Sequence, residues 1–322
     1  MKSREFVIFG GSGFIGTHLA RRLSQDGAAV IYNVDVKPPR EEIPHVTFVQ
    51  ADVRNLAHLN LGIDIDTIFN FAAIHTTPGH EPHEYYETNI GGALEITKFA
   101  ERSGVSTIVF TSSISVYGPS EETKTETTPP NPKSSYGWSK FLAEQVHLGW
   151  VDRDLERKLV ICRPAVIFGR GEGGNFTRLA KMLRAGLFVY PGRKDTIKAC
   201  FYVKDLVESL LDVWAKDEKL IIYNGAYPDR YTIEQIVDTF REIAFPTARV
   251  VSVPRPIVSF AASLLKGSIG SVVGVHPERV EKLITSTDVE PRWLIENGLS
   301  KTGRLRDALL EWKGESSKVF YF

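Results

Sequence analysis

Only two cysteines, Cys162 and Cys200, occur in 322 residues. That is no disulfide framework, and both are expected as reduced, small core residues of a cytoplasmic protein. An excess of either charge is missing too: 39 basic residues balance 39 acidic ones. No strong field is left to hold nucleic acid, and no stripe of Lys and Arg stands out. Long apolar runs are also absent. The longest, Pro256–Leu265, has ten residues, about half of the ~20 that a membrane-spanning helix needs. The chain enters its first strand-like run at Glu5, which leaves no room for a signal peptide, so no membrane partner is expected. With 43% hydrophobic residues, it can bury the core of one large or two modest domains.

Glycine, in contrast, stands where a phosphate group needs it. The apolar run Glu5–Phe9 leads through Gly10-Gly11-Ser12-Gly13-Phe14-Ile15-Gly16 into Thr17–Leu23, whose apolar residues recur at helical spacing. Gly10, Gly11, Gly13 and Gly16 satisfy the G-x-G-x-x-G spacing, which lets the backbone turn tightly, approach a pyrophosphate and seat the helix on the strand. A second strand-like run, Ala28–Val34, ends in Asp35 about twenty residues past the loop, where a carboxylate accepts both ribose hydroxyls of a dinucleotide. A carboxylate there repels a 2′-phosphate, so the expected cofactor is NAD over NADP. Lys37 and Arg40 follow closely, as counter-charges or as solvated loop residues. Asp52, after Val46–Gln50 and before Val53, is placed either to touch an adenine or to cap the next turn.

Strand-like and helix-like runs alternate over about the first 165 residues, which implies a parallel sheet covered on both faces. Thr67–Phe71, Thr107–Thr111 and Leu159–Cys162 read as further strands, and Pro82–Arg102 and Ser134–Asp152 as helical stretches. The alternation loosens at Gly169–Gly174. Tyr202–Trp214 then reads as an amphipathic helix, and Leu220–Asn224 as a strand returning to the sheet. The expected division is a dinucleotide-binding domain over 1–168, joined again by 196–225, and a substrate-binding subdomain over 169–195 and 226–322.

Within Ser135-Tyr136-Gly137-Trp138-Ser139-Lys140, Tyr136 and Lys140 are four residues apart, so on a helix they share one face. An ammonium ~5 Å away at an effective dielectric of ~20 stabilises a phenolate by ~3 kcal/mol, roughly two units off a pKa of ~10. The expectation is a tyrosine that exchanges protons near neutral pH, and a bound oxidised nicotinamide would push it further.

Together, GGSGFIG, Asp35, Asp52-Val53, Asn70-Phe71-Ala72-Ala73, Asn89-Ile90-Gly91-Gly92, Ser112–Gly118, the Tyr136–Lys140 run, Arg163–Gly169 and Phe201–Asp205 resemble an extended short-chain dehydrogenase/reductase. The branch is the one that includes nucleotide-sugar epimerases and dehydratases. The resemblance implies an α/β fold, a Rossmann-type doubly wound parallel sheet with a smaller mixed C-terminal substrate subdomain. It implies Ser113, Tyr136 and Lys140 as the catalytic set, with Lys140 also binding the nicotinamide ribose. It implies NAD contacts from Gly10, Gly13, Phe14, Ile15, Gly16, Asp35, Asp52, Val53, Ala72, Asn89, Tyr136 and Lys140. For Asn89 a helix-kinking or water-holding role stands beside that one. It further implies a homodimer joined through a four-helix interface built from the two long helices.

On the substrate side, Asn175 resembles a residue of the family's segment that contacts a nucleotide diphosphate. Lys198 and Arg279 are further candidate phosphate partners. A lysine offers a point charge where relatives often have the fork of an arginine. The 4,6-dehydratases of this branch carry an Asp-Glu pair after the active hydroxyl; here Ile114 and Ser115 stand there, so that elimination is not expected. His75, His80 and His83 follow the fourth strand in a distinctive loop, without a familiar ligand spacing, and no metal site is expected. The favoured function is an NAD-dependent nucleotide-sugar epimerase, a UDP-sugar 4-epimerase working through a transient 4-keto intermediate. The alternatives are a sugar-nucleotide ketoreductase or sterol-like alcohol dehydrogenase, and a dinucleotide sensor without turnover. Against the sensor stand the intact Tyr136 and Lys140.

Overall fold

The computed structural model describes residues 4–25, 27, 29–62, 65–76, 79–254, 285–316 and 320. β1 (Arg4–Phe9) passes through the glycine turn into α1 (Phe14–Gln25), followed by β2 (Ala29–Asp35), β3 (Val46–Gln50) and β4 (Ile65–Asn70). Next come α2 (Pro82–Tyr85), α3 (Gly92–Arg102), β5 (Thr107–Thr111), β6 (Ser120–Lys124) and α4 (Ser135–Val151). The later elements are β7 (Lys158–Pro164), β8 (Val166–Phe168), α5 (Asn175–Arg184), β9 (Leu187–Pro191), β10 (Cys200–Tyr202), α6 (Val203–Trp214) and β11 (Leu220–Gly225). α7 (Ile233–Ile243), β12 (Arg249–Val253), β13 (Thr287–Val289), α8 (Arg292–Glu296) and α9 (Leu305–Glu315) complete the described chain.

Seven strands form one sheet in the order β11-β7-β5-β4-β1-β2-β3, and every pairing in it is parallel. This is the Rossmann-type doubly wound order with one further strand, β11, at its edge. The strand order reverses between β1 and β4, and such sheets bind ligands outside the carboxyl ends of the strands at that point. Successive β1 residues face opposite ways, as a pleated strand requires. Phe6 and Ile8 join Leu19 and Leu23 of α1 and Leu206 and Leu210 of α6 in one core. Val7 and Phe9 join Ile96 and Phe99 of α3 and Ala143 and Trp150 of α4 in the other. Each such side chain contributes about 1.5–3 kcal/mol on burial, so both faces are strongly specified.

Three small parallel pairs, β8 with β10, β9 with β12 and β6 with β13, lie outside the main sheet. The helical stretch expected over Pro82–Arg102 is interrupted: Tyr86–Gly91 forms a π-helical turn between α2 and α3. Cys162 and Cys200 are buried free thiols. Burial pushes both up, Cys162 to about 12, which keeps them unreactive. Among the described residues, no helix is long and apolar enough to cross a membrane.

The last helix is tied to the sheet through one carboxylate. Asp205, in the first turn of α6, accepts hydrogen bonds from the Tyr227 hydroxyl at 2.6 Å, Lys301 Nζ at 2.9 Å and Arg304 Nε at 3.2 Å. Asp205 is buried, whereas the two cations keep partial contact with water, so the ion pairs are screened on one side. Replacing Asp205 by Ala leaves a buried phenol and two cations without their acceptor, and about 2–3 kcal/mol of stability should be lost. Urea unfolding of Asp205→Ala checks this; a loss below about 0.5 kcal/mol would contradict the staple.

Candidate active site

The glycine turn is packed so tightly that side chains are excluded. Gly10 has φ +78°, and a Cβ on it would lie 2.7 Å from the backbone nitrogen of Ala72. A Cβ on Gly16 would lie 2.6 Å from Gly11 Cα. Gly10 N donates to Val34 O and Phe71 N to Phe9 O, both at 2.9 Å, so the turn, β2 and the segment after β4 are locked together with Ala72 as a wall. Gly13 differs, since its Cβ would meet only Gly10 O, at 3.1 Å. The Thr17 amide is the first of α1 to find a helical acceptor, Gly13 O. The amides of Phe14, Ile15 and Gly16 therefore point out of the helix at its positive end. That donor set and the bare cradle fit a dinucleotide pyrophosphate.

Asp35, at the end of β2, accepts from Ser12 N at 3.2 Å and Lys37 N at 3.1 Å, which pins its carboxylate beside the loop. Asp52 takes the turn-capping arrangement: it accepts from the Arg54 amide at 2.9 Å and pairs with the Arg54 guanidinium at 2.6 Å. Those Arg54 hydrogen bonds hold its carboxyl below the usual range. Val53 is buried against Gly92, where a Cβ would come within 2.9 Å of Val53 Cγ2. Asn89 sits in the π-helical turn. Its Oδ1 accepts from Ile74 N at 2.9 Å, and its Nδ2 donates to Ile74 O at 3.1 Å and Ser139 Oγ at 2.8 Å. The amide thus clamps the loop after β4 to the helix carrying Lys140.

Ser113 and the stretch that carries Tyr136 and Lys140 come together at the carboxyl edge of β5. Ser113 follows β5 and caps a 3₁₀ turn over Ile114–Tyr117, accepting from Ser115 N and donating to Ser115 Oγ, both at 3.1 Å. Its side chain also lies close enough to Tyr136 to pull that phenol's pKa down. Tyr136 and Lys140 lie one turn apart on α4, whose first turn is capped by the Ser134 hydroxyl. Gly137 is required there because a Cβ would stand 2.6 Å from Ser115 O.

The electrostatics depart from expectation. Burial raises Tyr136 above the usual phenol range, with the Ser113 side chain opposing. Burial also drives Lys140 down to about 7, with the field of Glu144 opposing. Its ammonium lies 4.2 Å from the ring centre of Phe110. A lysine about half charged at pH 7 in an apolar setting does not by itself lower the tyrosine as a solvated neighbour would. The cost of desolvating both groups was invisible in their spacing.

Several neighbours were not singled out from sequence. His147 stacks on Phe110 at 4.4 Å and touches Asn70 Nδ2 at 3.3 Å. Burial lowers it to about 4. Glu144 is paired with Arg163 at 2.7 Å, inside the core. The signal was present in α4, because Lys140, Glu144 and His147 follow one another at helical spacing.

On the other side, Asn175 is exposed at the start of α5. Lys198 is pushed down to about 8 by burial and donates to Thr285 O at 2.6 Å. Arg279 lies outside the described residues. His80 approaches Glu84 at 3.4 Å, and His75 lies close enough to Lys140 to feel its charge. Among the described residues, no group of three or more His, Cys, Asp or Glu is arranged to hold a metal ion.

Residues 6–225 match the NAD dependent epimerase/dehydratase family. The chain is 30% identical over 293 residues to the N-acetyl-alpha-D-glucosaminyl-diphospho-ditrans,octacis-undecaprenol 4-epimerase of Escherichia coli O157:H7, covering 88% of this chain and 86% of that protein. It is 30% identical to the UDP-glucose 4-epimerase of Streptococcus mutans over 179 residues, 52% of this chain and about half (54%) of that protein. A solved UDP-glucuronic acid 4-epimerase from Bacillus cereus in complex with NAD has a TM-score of 0.66 at 22% identity, covering 78% of this chain and 86% of that one. A UDP-N-acetylglucosamine 4-epimerase from Methanobrevibacter ruminantium has a TM-score of 0.69 at 20% identity, over 79% and 86%.

The buried imidazole has a consequence for acid stability. His147 ordinarily titrates near 6.5 and does so here at about 4, so between those values the unfolded chain binds a proton that the folded one refuses. Stability is full above pH 6.5 and is lost as the pH falls, by about 3 kcal/mol in total. Between pH 7 and 4.5, His147→Gln should lose about 2–3 kcal/mol less than the parent in chemical denaturation; equal losses would contradict it.

Proposed function

This chain belongs to the NAD-dependent epimerase/dehydratase family, and on that premise we propose that it is a 4-epimerase of a UDP-linked sugar working through a 4-keto intermediate. The observation that carries the reading is the approach of the Ser113 side chain to Tyr136 at the carboxyl edge of the sheet, with Lys140 one turn further along α4. With NAD bound, Tyr136 would act as its phenolate, its own proton having passed to solvent, and a substrate hydroxyl held by Ser113 gives its proton to that oxygen. Bound NAD supplies a hydride acceptor that later serves as the donor, and its cationic ring adds the positive charge that the half-protonated Lys140 lacks. Tyr136 returns the proton once the other face of the sugar is presented. Buried Asn89 and Phe110, with half-buried Ala72, keep water from the keto sugar.

In this reading, Gly10, Gly13, Phe14, Ile15, Gly16 and Ala72 cradle the diphosphate of the cofactor, Asp35 takes its ribose, and Asp52 and Val53 border its adenine. Residues 1–168 with 196–225 bind the cofactor, and 169–195 with 226–322 bind the substrate. Asn175, at the positive end of α5, and Lys198 and Arg279 serve the substrate diphosphate. A second reading concerns the carrier alone. The match to the E. coli protein spans 86% of that relative, against about half of the UDP-glucose enzyme, which favours a polyprenyl diphosphate in place of UDP.

Incubation with UDP-hexoses, UDP-N-acetylhexosamines and a polyprenyl-diphosphate N-acetylhexosamine, with product chromatography and absorbance of reduced nicotinamide, tests both. The expected result is a 4-epimer without net cofactor reduction, and Tyr136→Phe should lower kcat by at least ~100-fold while NAD stays bound. Stoichiometric reduction or oxidation of the cofactor would make this a dehydrogenase or ketoreductase instead.

We place the enzyme in the cytoplasm as a homodimer joined across α3 and α4. In support, Tyr86, Leu94, Trp138 and Leu142 present apolar surface on that side, with Leu94 46% and Trp138 43% exposed. Light scattering should give twice the 36.0 kDa chain mass, and Trp138→Glu should shift it toward the monomer. A parent protein that is monomeric at micromolar concentration would contradict the dimer.

A further inference from the structure

The acid–base helix buries more charge than the proposed reaction uses. Tyr136, Lys140, Glu144 and His147 lie on α4 at intervals of four, four and three residues, so they form one stripe along the helix. Lys140 is 2% exposed, Glu144 1% and His147 not at all. The Lys140 ammonium and the His147 imidazole both contact the Phe110 ring, at 4.2 and 4.4 Å. Seven residues of helix rise about 10.5 Å, which leaves room for one ring between those two side chains. Lys140 is thus walled off from water on that side by an aromatic face.

Among the described residues, the titratable groups around Lys140 are few. Tyr136, Glu144 and His147 come from α4 itself, His75 from the loop after β4, and Tyr85 of α2 stands behind Tyr136 with its ring 6.3 Å away. Arg163 of β7 lies beyond Glu144. Burial holds both histidines low and Tyr136 high, so all three are neutral at pH 7. Glu144 is the charged group whose field raises Lys140.

Glu144 is held in place from behind. Its two oxygens accept from Arg163 Nε at 2.9 Å and Nη2 at 2.7 Å. Arg163 Nη1 donates to the Tyr117 hydroxyl at 3.0 Å, and that hydroxyl donates to Asn224 Oδ1 at 2.8 Å. Asn224 Nδ2 then donates to Glu290 O at 3.0 Å, just ahead of α8. Burial works against the charge of Arg163, but the Glu144 hydrogen bonds and field outweigh it. A buried ion pair of this kind is a poor source of stability, so its place beside the acid–base residues calls for another reason.

We propose that Glu144 is a positioning residue of the acid–base site: clamped by Arg163, its carboxylate keeps Lys140 partly protonated next to Tyr136. The inference rests on the role proposed above for Lys140. A unit charge ~6 Å away at an effective dielectric of ~20 is equivalent to ~2 pH units. Without it, burial takes Lys140 below neutrality and the site loses its cation at working pH.

The test needs no substrate, so its outcome is independent of whether the enzyme is an epimerase. NAD-loaded protein carrying [13Cε]lysine is titrated by NMR, with the Lys140 resonance assigned by its loss in Lys140→Met. Glu144→Gln should move the midpoint down by ~1–2 pH units. Tyr117→Phe, which cuts the link to Asn224 but spares the carboxylate, should leave the midpoint in place. Should Glu144→Gln not fold, Glu144→Asp keeps the charge but withdraws it and should give a smaller downward move. An unchanged midpoint in folded Glu144→Gln, or in Glu144→Asp when that is the variant that folds, overturns the proposal.

Discussion

A Cβ on Gly10 would stand 2.7 Å from the Ala72 backbone nitrogen, and the site rests on that lack of room. Because the turn after β1 presses against the segment after β4, the amino end of α1, the end of β2 and the loop before α2 converge on one edge. A parallel sheet adds the carboxyl end of β5, and with it Ser113. Only α4 is then needed to lay Tyr136 and Lys140 over that edge, and Gly137 lets it come close enough to Ser115 to do so. Backbone approach sets the geometry, and polar side chains take the positions it leaves.

Burial then sets the chemistry. Tyr136 and Lys140 are each pushed toward their neutral forms by desolvation. Two groups that resist ionisation are poised to exchange a proton when a third charge arrives, and a positively charged nicotinamide is such a charge. The same helix holds Glu144 and His147 in the core, the first compensated by Arg163 and the second kept neutral. The stripe thus combines a half-protonated amine, a carboxylate paired with Arg163 and a neutral imidazole within three turns.

How much of this was legible follows from where each signal lives. The glycine turn, Asp35, the Tyr136/Lys140 spacing and the alternation of strands and helices are local patterns, and the sheet, α1 and α4 appear where they point. The return of Leu220–Gly225 to the sheet was readable from its apolar run. β6 was not, because Ser120–Lys124 is polar and becomes a strand only by pairing with Thr287–Val289 far along the chain. At Asn89 a helix-kinking role was one reading of the sequence, but the extent of the π-helical turn was not legible, since Asn89 bonds to Ile74 and Ser139 far along the chain. The Glu144–Arg163 pair joins a helix to a strand, so neither residue alone announces it. Family kinship reached the chemistry, whereas the short strand pairs toward the C-terminal end have no local signature.

The account stands on one claim, that a single carbon is oxidised and then reduced again inside the same site. Substrate carrying deuterium at C4 of the sugar tests it directly. If the account is right, mass spectrometry finds the deuterium retained on the inverted product, with none in solvent and none on released reduced cofactor. Inversion with wash-out of the label into water, or its appearance on free cofactor, would contradict it.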